Sequence, residues 1–268
     1  MTRESALKVW ISGVGLLGPG LPSWRESRNV LNGMQAYLPG AASLPSPMQL
    51  PQAERRRSST PVKLALAVCQ EAMDASQLAA TELASVFCSS SGDSHNCHAI
   101  CEALASDDSR ISPTRFHNSV NNAAAGYWSI ATHSMRASTL LCAYDASFGA
   151  ALLEAAAQAA VDGNDVLLTV YDTEYPEPLK AKRPHQITLG IALILSPRPL
   201  ANSLAAATIQ FTDEAPSSLA DVELENLRRH TPSARGLPLL EALACRKPGR
   251  VVLDYLDSLR ICVEVTPC

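Results

Sequence analysis

Hydrophobic positions along the chain fall into two alternating kinds of block. One kind is a short, nearly continuous apolar run, as in 6–12, 84–88, 139–144, 165–171 and 187–196. Such runs predict strands buried on both faces. The other kind places apolar residues three and four apart. Residues 62–74 carry Leu64, Leu66, Ala67, Val68 and Ala72 on one helical face, and helices are also predicted over 94–105, 123–133 and 146–161. The last holds eight alanines, so sheet and helices can approach it closely from all sides. The stretch 33–52 contains four prolines and reads as a loop. Thr60-Pro61 reads as an N-cap followed by proline in the first turn. Beyond 196, helices are expected over 219–230 and 237–246, and short strands over 250–255 and 259–265. Strand–helix alternation of this kind predicts an α/β sheet covered on both faces.

Composition narrows the function classes. The 268 residues are 47% hydrophobic and 18% charged, with a net charge of −4. That supports a sizeable core and offers no basic stripe for nucleic acid. No apolar run is long enough to cross a bilayer. Lys8 precedes the apolar stretch 9–17, but Glu4 breaks the basic flank and no Ala-x-Ala site follows, so no cleaved signal peptide is expected. Several of the eight cysteines lie inside apolar runs, where the thiol behaves as a small hydrophobe. A reducing, cytoplasmic setting without a disulfide framework is expected.

Two local motifs invite cofactors and fail on context. Gly13-Val14-Gly15-Leu16-Leu17-Gly18 has dinucleotide-fingerprint spacing. Pro19-Gly20-Leu21-Pro22 then delays the helix to about Ser23, and no acidic residue lies between Glu26 and Glu54 to hold a ribose. The glycines are expected to form a tight turn. His95, Cys97, His98 and Cys101 are suitable zinc ligands, but on a helix they point in different directions and no second pair lies nearby. No metal and no cofactor are expected. Arg55, Arg56 and Arg57 read as a solvated loop, with a small basic patch for an acidic partner as the functional alternative.

The order of segments resembles the N-terminal half of a β-ketoacyl synthase, which has the thiolase-like fold. VWISGVGLLGPG is similar to that family's first strand and Gly-Pro turn, and SPTRFHNSVNNAAAGYWSIA to its dimer-interface segment. TLLCAYDASFGAALLEAAAQAAVDGNDVLLTVYD resembles the nucleophile strand, buried helix and following strand, and LGIALILS the strand that closes the half. The resemblance covers about residues 6–200. It implies an α/β thiolase-like fold with a complete N-terminal half (1–200) and a much reduced C-terminal half (201–268), packed together as one unit.

In that family a cysteine at the strand-to-helix turn carries the acyl chain as a thioester, and two histidines assist decarboxylation. Counting forward from Asn122 places the nucleophile at Asp145; counting back from Gly163 places it at Ala146. Neither residue is a cysteine. The 72 residues from 197 to 268 hold one histidine, His230, and lack the family's His-Gly-Thr and Asn-His motifs. The resemblance therefore implies a short, non-catalytic chain-length factor, most like those of aryl polyene synthases. It would pair with a catalytic ketosynthase as a heterodimer, meet an acyl carrier protein transiently, and shape the partner's acyl tunnel. Phe116, Ser119, Asn122 and the stretch Ala123 to Trp128 would contribute to the tunnel and contact surface, with Phe116 and Trp128 as core residues the competing reading. Substitution at Phe116 should then shift product length. Arg55–Arg57 would dock the acidic carrier protein. Two rivals stay open. One is an acyltransferase or hydrolase using Cys142 or a serine of Ser89–Ser91, with His117, His133 or His185 as base; the other is an acyl-binding scaffold without a ketosynthase partner.

Overall fold

The structure, a computed structural model, describes residues 6–183 and 187–268. Eight strands form one sheet: β1 (Leu7–Leu17), β2 (Ala84–Cys88), β3 (Ser138–Leu141), β4 (Val166–Asp172), β5 (Leu189–Ser196), β6 (Ala205–Thr212), β7 (Gly249–Leu253) and β8 (Arg260–Pro267). Their order is β3-β2-β4-β5-β1-β6-β8-β7. β3, β2 and β4 run parallel, and every other neighbour pair is antiparallel. β2, β4 and β5 are buried along their whole length, as the unbroken apolar runs predicted.

The helices are α1 (Trp24–Leu31), α2 (Gln52–Arg57), α3 (Thr60–Ser76), α4 (Ser94–Ala105), α5 (Pro113–Asn118), α6 (Ala123–Thr132), α7 (Ser147–Ala160), α8 (Leu179–Lys182), α9 (Val222–His230) and α10 (Leu237–Cys245). They divide the hydrophobic core in two. One core packs α3 and α6 against one sheet face through residues such as Leu64, Val68, Phe87 and Trp128. The other packs α7 and α10 against the opposite face through Phe148, Leu152, Ala156 and Leu240. The alanine-rich α7 is buried between sheet and helices, because alanine lets the surrounding backbones come close.

Four expectations are corrected here. Gly13 and Gly15 do not form a turn. They lie inside β1 on the face that carries α3, where an added Cβ would stand 2.2 Å from the Ala72 carbonyl oxygen and 2.0 Å from that of Val68. The tight turn comes later, at Gly18–Leu21, closed by two backbone hydrogen bonds with Gly20 at φ +65°. The run 139–144 is not a fully buried strand: β3 ends at Leu141, lies at the sheet edge and is at best half-buried. Arg55, Arg56 and Arg57 are not in a loop but close the short helix α2, where cations suit the negative end of the helix dipole. The cap at α3 also shifts by one residue, to Ser59.

Candidate functional site

In open α/β sheets, ligand chemistry gathers beyond the carboxyl ends of the parallel strands. Here those ends deliver Ser89–Ser91 after β2, Cys142–Ala146 after β3, and Asp172 at the tip of β4. The elbow after β3 is tight. Tyr144 adopts φ +52°, residues 144–146 make a single 3₁₀ turn, and Ser147 opens α7. The Ser147 hydroxyl donates to the Tyr144 carbonyl at 2.7 Å and accepts from the Ala143 amide at 3.3 Å. Gly149 lets the β7–β8 connection rest on the first turn of α7, since a Cβ there would stand 2.4 Å from the Asp254 carbonyl oxygen.

Asp145 and Ala146, the two positions the resemblance assigns to the nucleophile, both lie in this elbow. Ala146 offers no reactive atom. The Asp145 carboxylate is held by Arg183 on one oxygen, while Arg235 stands 3.6 Å from the other. Arg183 also sits over the Tyr144 ring, its Cζ 3.9 Å from the ring centre. Arg235 continues to Asp254 at 3.5 Å, Asp254 to Arg228 at 2.8 Å, and Arg228 to Glu225 through two bonds of 2.7 and 2.8 Å. An alternating chain of ions thus fills the space at the amino end of α7. At its far end, the Arg228 guanidinium pulls the Glu225 carboxyl down to a pKa of about 2. The folded value lies below the unfolded one of about 4.3, so this stabilisation is complete above that value and is lost as pH falls toward 2. Melting temperatures of the wild type and Glu225→Gln should differ at pH 6 and converge near pH 2. A gap that stays constant across that range would contradict the assignment.

Asp172, which no sequence motif marks, is fully buried. One carboxylate oxygen accepts from the Ser90 amide at 2.9 Å and the Ser90 hydroxyl at 2.7 Å; the other accepts from the Ser233 amide at 2.8 Å. Burial raises its pKa, and those hydrogen bonds oppose the rise. The carboxylate thereby fastens the loop after β2 to the turn that carries Arg235.

The rival nucleophiles are placed as follows. The Cys142 thiol donates to the Ser90 carbonyl at 3.2 Å, before the elbow and not at the helix end. Cys88 lies under the first turn of α7, 3.4 Å from the Ser147 carbonyl, but burial pushes its pKa up to about 12, away from thiolate. Ser89 accepts from the Gly92 amide. His117 stacks edge-on against Tyr127 and His133 ends α6; His185 lies outside the described residues. His98 pairs with Glu102 at 3.3 Å, and among the described residues no three His, Cys, Asp or Glu side chains gather as metal ligands.

Of the tunnel and contact residues, Phe116 is 64% exposed and so does not fill the chain's own core. Ser119, whose hydroxyl donates to the Phe116 carbonyl at 2.8 Å, and Ala123 are half-buried, and Asn122 is exposed. Trp128 is a correction: it is buried in the α3-side core, together with Ala124, Ala125 and Tyr127. It supports the surface from beneath. Asn118, missed in the sequence, ties α5 down by donating to the Arg57 carbonyl and accepting from Tyr127. Arg55 turns toward the Leu50 carbonyl, Arg57 pairs with Glu54, and Arg56 points to solvent. Six exposed large apolar side chains, Leu104, Phe116, Val120, Ile130, Met135 and Tyr144, come from the segment around the edge strand β3. The opposite edge, β7, is instead guarded by Arg250 paired with Glu214 and Glu264.

Residues 25–247 match the family model described as "Beta-ketoacyl synthase, N-terminal domain". Among solved structures, a chain of the ketosynthase ApeO in complex with its chain length factor ApeC, from Xenorhabdus doucetiae, superposes with TM-score 0.72 and 20% identity. That match covers 96% of this chain and 99% of the other. The ishigamide ketosynthase/chain length factor gives 0.71 at 12% identity, covering 97% and 99%. The AntDE:AntF complex, a type II polyketide synthase acyl-carrier protein with its ketosynthase bound to the hexaketide, gives 0.73 at 11%, covering 98% and 100%. These likenesses establish a thiolase-like ketosynthase fold. No curated protein matches the sequence.

Proposed function

The chain belongs to the β-ketoacyl synthase family, and from that membership we propose that it is the non-catalytic, chain-length-factor subunit of a heterodimer. Its partner is a catalytic ketosynthase whose acyl tunnel it completes, and an acyl carrier protein delivers the chain. The observation that carries the reading is the elbow before α7. By the resemblance, the family's thioester-forming cysteine would fall at Asp145 or Ala146; in this chain Asp145 is clamped by Arg183 and Arg235, and Ala146 offers only a methyl group. A carboxylate so engaged and a methyl group cannot hold an acyl chain. The ionic chain continues from Arg235 through Asp254 to Arg228 and ties the elbow to α9.

Pairing is supported by the position of β3 at the end of the sheet and by exposed apolar side chains between residues 104 and 144, and by the ketosynthase–chain length factor complexes among the structural likenesses. On this reading Phe116, Ser119, Asn122 and Ala123 face the partner, Arg56 and Arg57 attract the acidic carrier protein at low salt, and the setting is the cytoplasm. Residues 1–200 and 201–268 act as one compact unit. The sequence Tyr144-Asp145-Ala146-Ser147-Phe148 resembles the turn of aryl polyene chain-length factors, which favours a polyene product.

The test is co-purification. The Ala137 and Leu141 carbonyls point toward β2, so by strand alternation Ser138 turns its amide outward. Ser138→Pro should keep the backbone ladder between β2 and β3 while removing an outward donor, and Ser138→Ala controls for the hydroxyl bond that Ser85 donates to Ser138. Co-expressed with the ketosynthase, the wild type should elute as a heterodimer, and Ser138→Pro should weaken it about tenfold, roughly 1.4 kcal/mol. A wild-type chain that stays soluble and alone would sink the heterodimer and favour a plain acyl-binding scaffold.

A further inference from the structure

Helix α4 carries four soft or borderline ligands that neither the elbow nor the pairing role uses: His95, Cys97, His98 and Cys101. Residues four apart on a helix lie on the same side, so Cys97 and Cys101 stand one above the other, and both are exposed. Burial raises the pKa of the Cys97 thiol, and the charges of Asp93 and Cys101 add to the rise, as expected for neighbouring sulfurs. The histidines are disposed differently. His98 is paired with Glu102 at 3.3 Å, and His95, two residues before Cys97, points to another side of the helix. The buried Asn96 donates to the Arg115 carbonyl at 2.5 Å, which holds this part of α4 on α5.

Spacing decides what the thiol pair can hold. Side chains four apart on a helix have Cβ atoms about 5–6 Å apart, whereas a disulfide needs about 3.8 Å. Closing that bond would deform α4. A thiophilic ion between the sulfurs fits the undisturbed helix, because two metal–thiolate bonds of about 2.3 Å each bridge the gap. The number of ligands then selects the ion. Among the described residues no three His, Cys, Asp or Glu side chains gather, so tetrahedral zinc would find only half its shell here. Thiolates select Cu(I) among soft ions, and this closed-shell ion is satisfied by two sulfurs in line.

We propose that Cys97 and Cys101 form a two-thiolate site for one cuprous ion on the exposed side of α4. Binding exchanges two S–H bonds for two S–Cu bonds: both protons leave to solvent, copper stays cuprous, and the bridge carries one negative charge. The site goes beyond the pairing role and does not rest on it.

The full-length chain, reduced and titrated with cuprous ion under nitrogen against a chromophoric copper chelator, should take up one ion. Native mass spectrometry should show one copper in place of two protons. Cys97→Ser and Cys101→Ser should each weaken binding about a hundredfold or more, with far-UV circular dichroism unchanged because both positions are exposed. A chain carrying Cys142→Ser, Cys245→Ser and Cys268→Ser together, which lacks the other exposed thiols, should bind like the wild type. Zn²⁺ should bind far more weakly than Cu(I). Undiminished binding by Cys97→Ser or Cys101→Ser would overturn the proposal, as would loss of binding in the triple variant. Zinc held as tightly as copper would also overturn it, since that requires ligands beyond the pair. Heterodimer formation is read separately by elution, so failure here leaves the pairing role standing.

Discussion

Gly15→Val is expected to destabilise the chain by about 3 kcal/mol or more. A Cβ at this position would stand 2.0 Å from the Val68 carbonyl oxygen and 3.0 Å from its Cα. Those atoms are backbone, so no side-chain rotation relieves the overlap. Helix α3 would have to lift off β1, and with it would go the packing of Leu64, Leu66 and Val68. For a chain of this size the loss corresponds to a fall of roughly 6–12 °C in melting temperature. Gly33→Ala is the control for a generic glycine effect: nothing lies within 4 Å of its added Cβ, although its φ of +75° carries a strain of its own. If Gly15→Val melts like the wild type, the close seating of α3 on β1 is wrong.

The second large effect is at Asp172. Asp172→Ala takes the acceptor from the Ser90 amide, the Ser90 hydroxyl and the Ser233 amide in a fully buried place. Removing a buried charge recovers some desolvation, but stranding buried donors costs about 1–3 kcal/mol for each unsatisfied group. A net loss of about 3 kcal/mol is expected. Asp172→Asn should cost less, since one oxygen remains to accept while the amide group faces a donor. The elbow should loosen too, because Ser233 precedes Arg235, which reaches Asp145. Urea melts of the two variants check the order; equal stability of Asp172→Ala and wild type would remove Asp172 as the fastener.

Much of this architecture is written locally in the chain. The bounds of β2 and α4 coincide with the apolar run 84–88 and the helical stretch 94–105, because each is short and punctuated by turn residues at both ends. The buried α7 follows from its alanines. β6 is different: Ala205-Ala206-Ala207 has little strand propensity, and only its position between β1 and β8 makes it a strand. The run 139–144 reads like a buried strand, yet β3 itself is only Ser138–Leu141, and nothing local says that it lies at an edge.

The site divides in the same way. The elbow is legible from motif order. The ions that fill it, at 145, 183, 225, 228, 235 and 254, are scattered over more than a hundred residues and share no spacing. Gly13 and Gly15 teach the complementary lesson. The same glycine spacing that permits a pyrophosphate to approach a backbone here permits a helix to do so.

The central claim is that this subunit never carries the acyl chain. Intact-mass measurement of both subunits after incubating the heterodimer with acyl carrier protein thioesters tests it most directly. The account predicts an acyl adduct on the ketosynthase alone and an unmodified mass for this chain. An adduct on this chain, at Cys142 or at a serine of Ser89–Ser91, would contradict it.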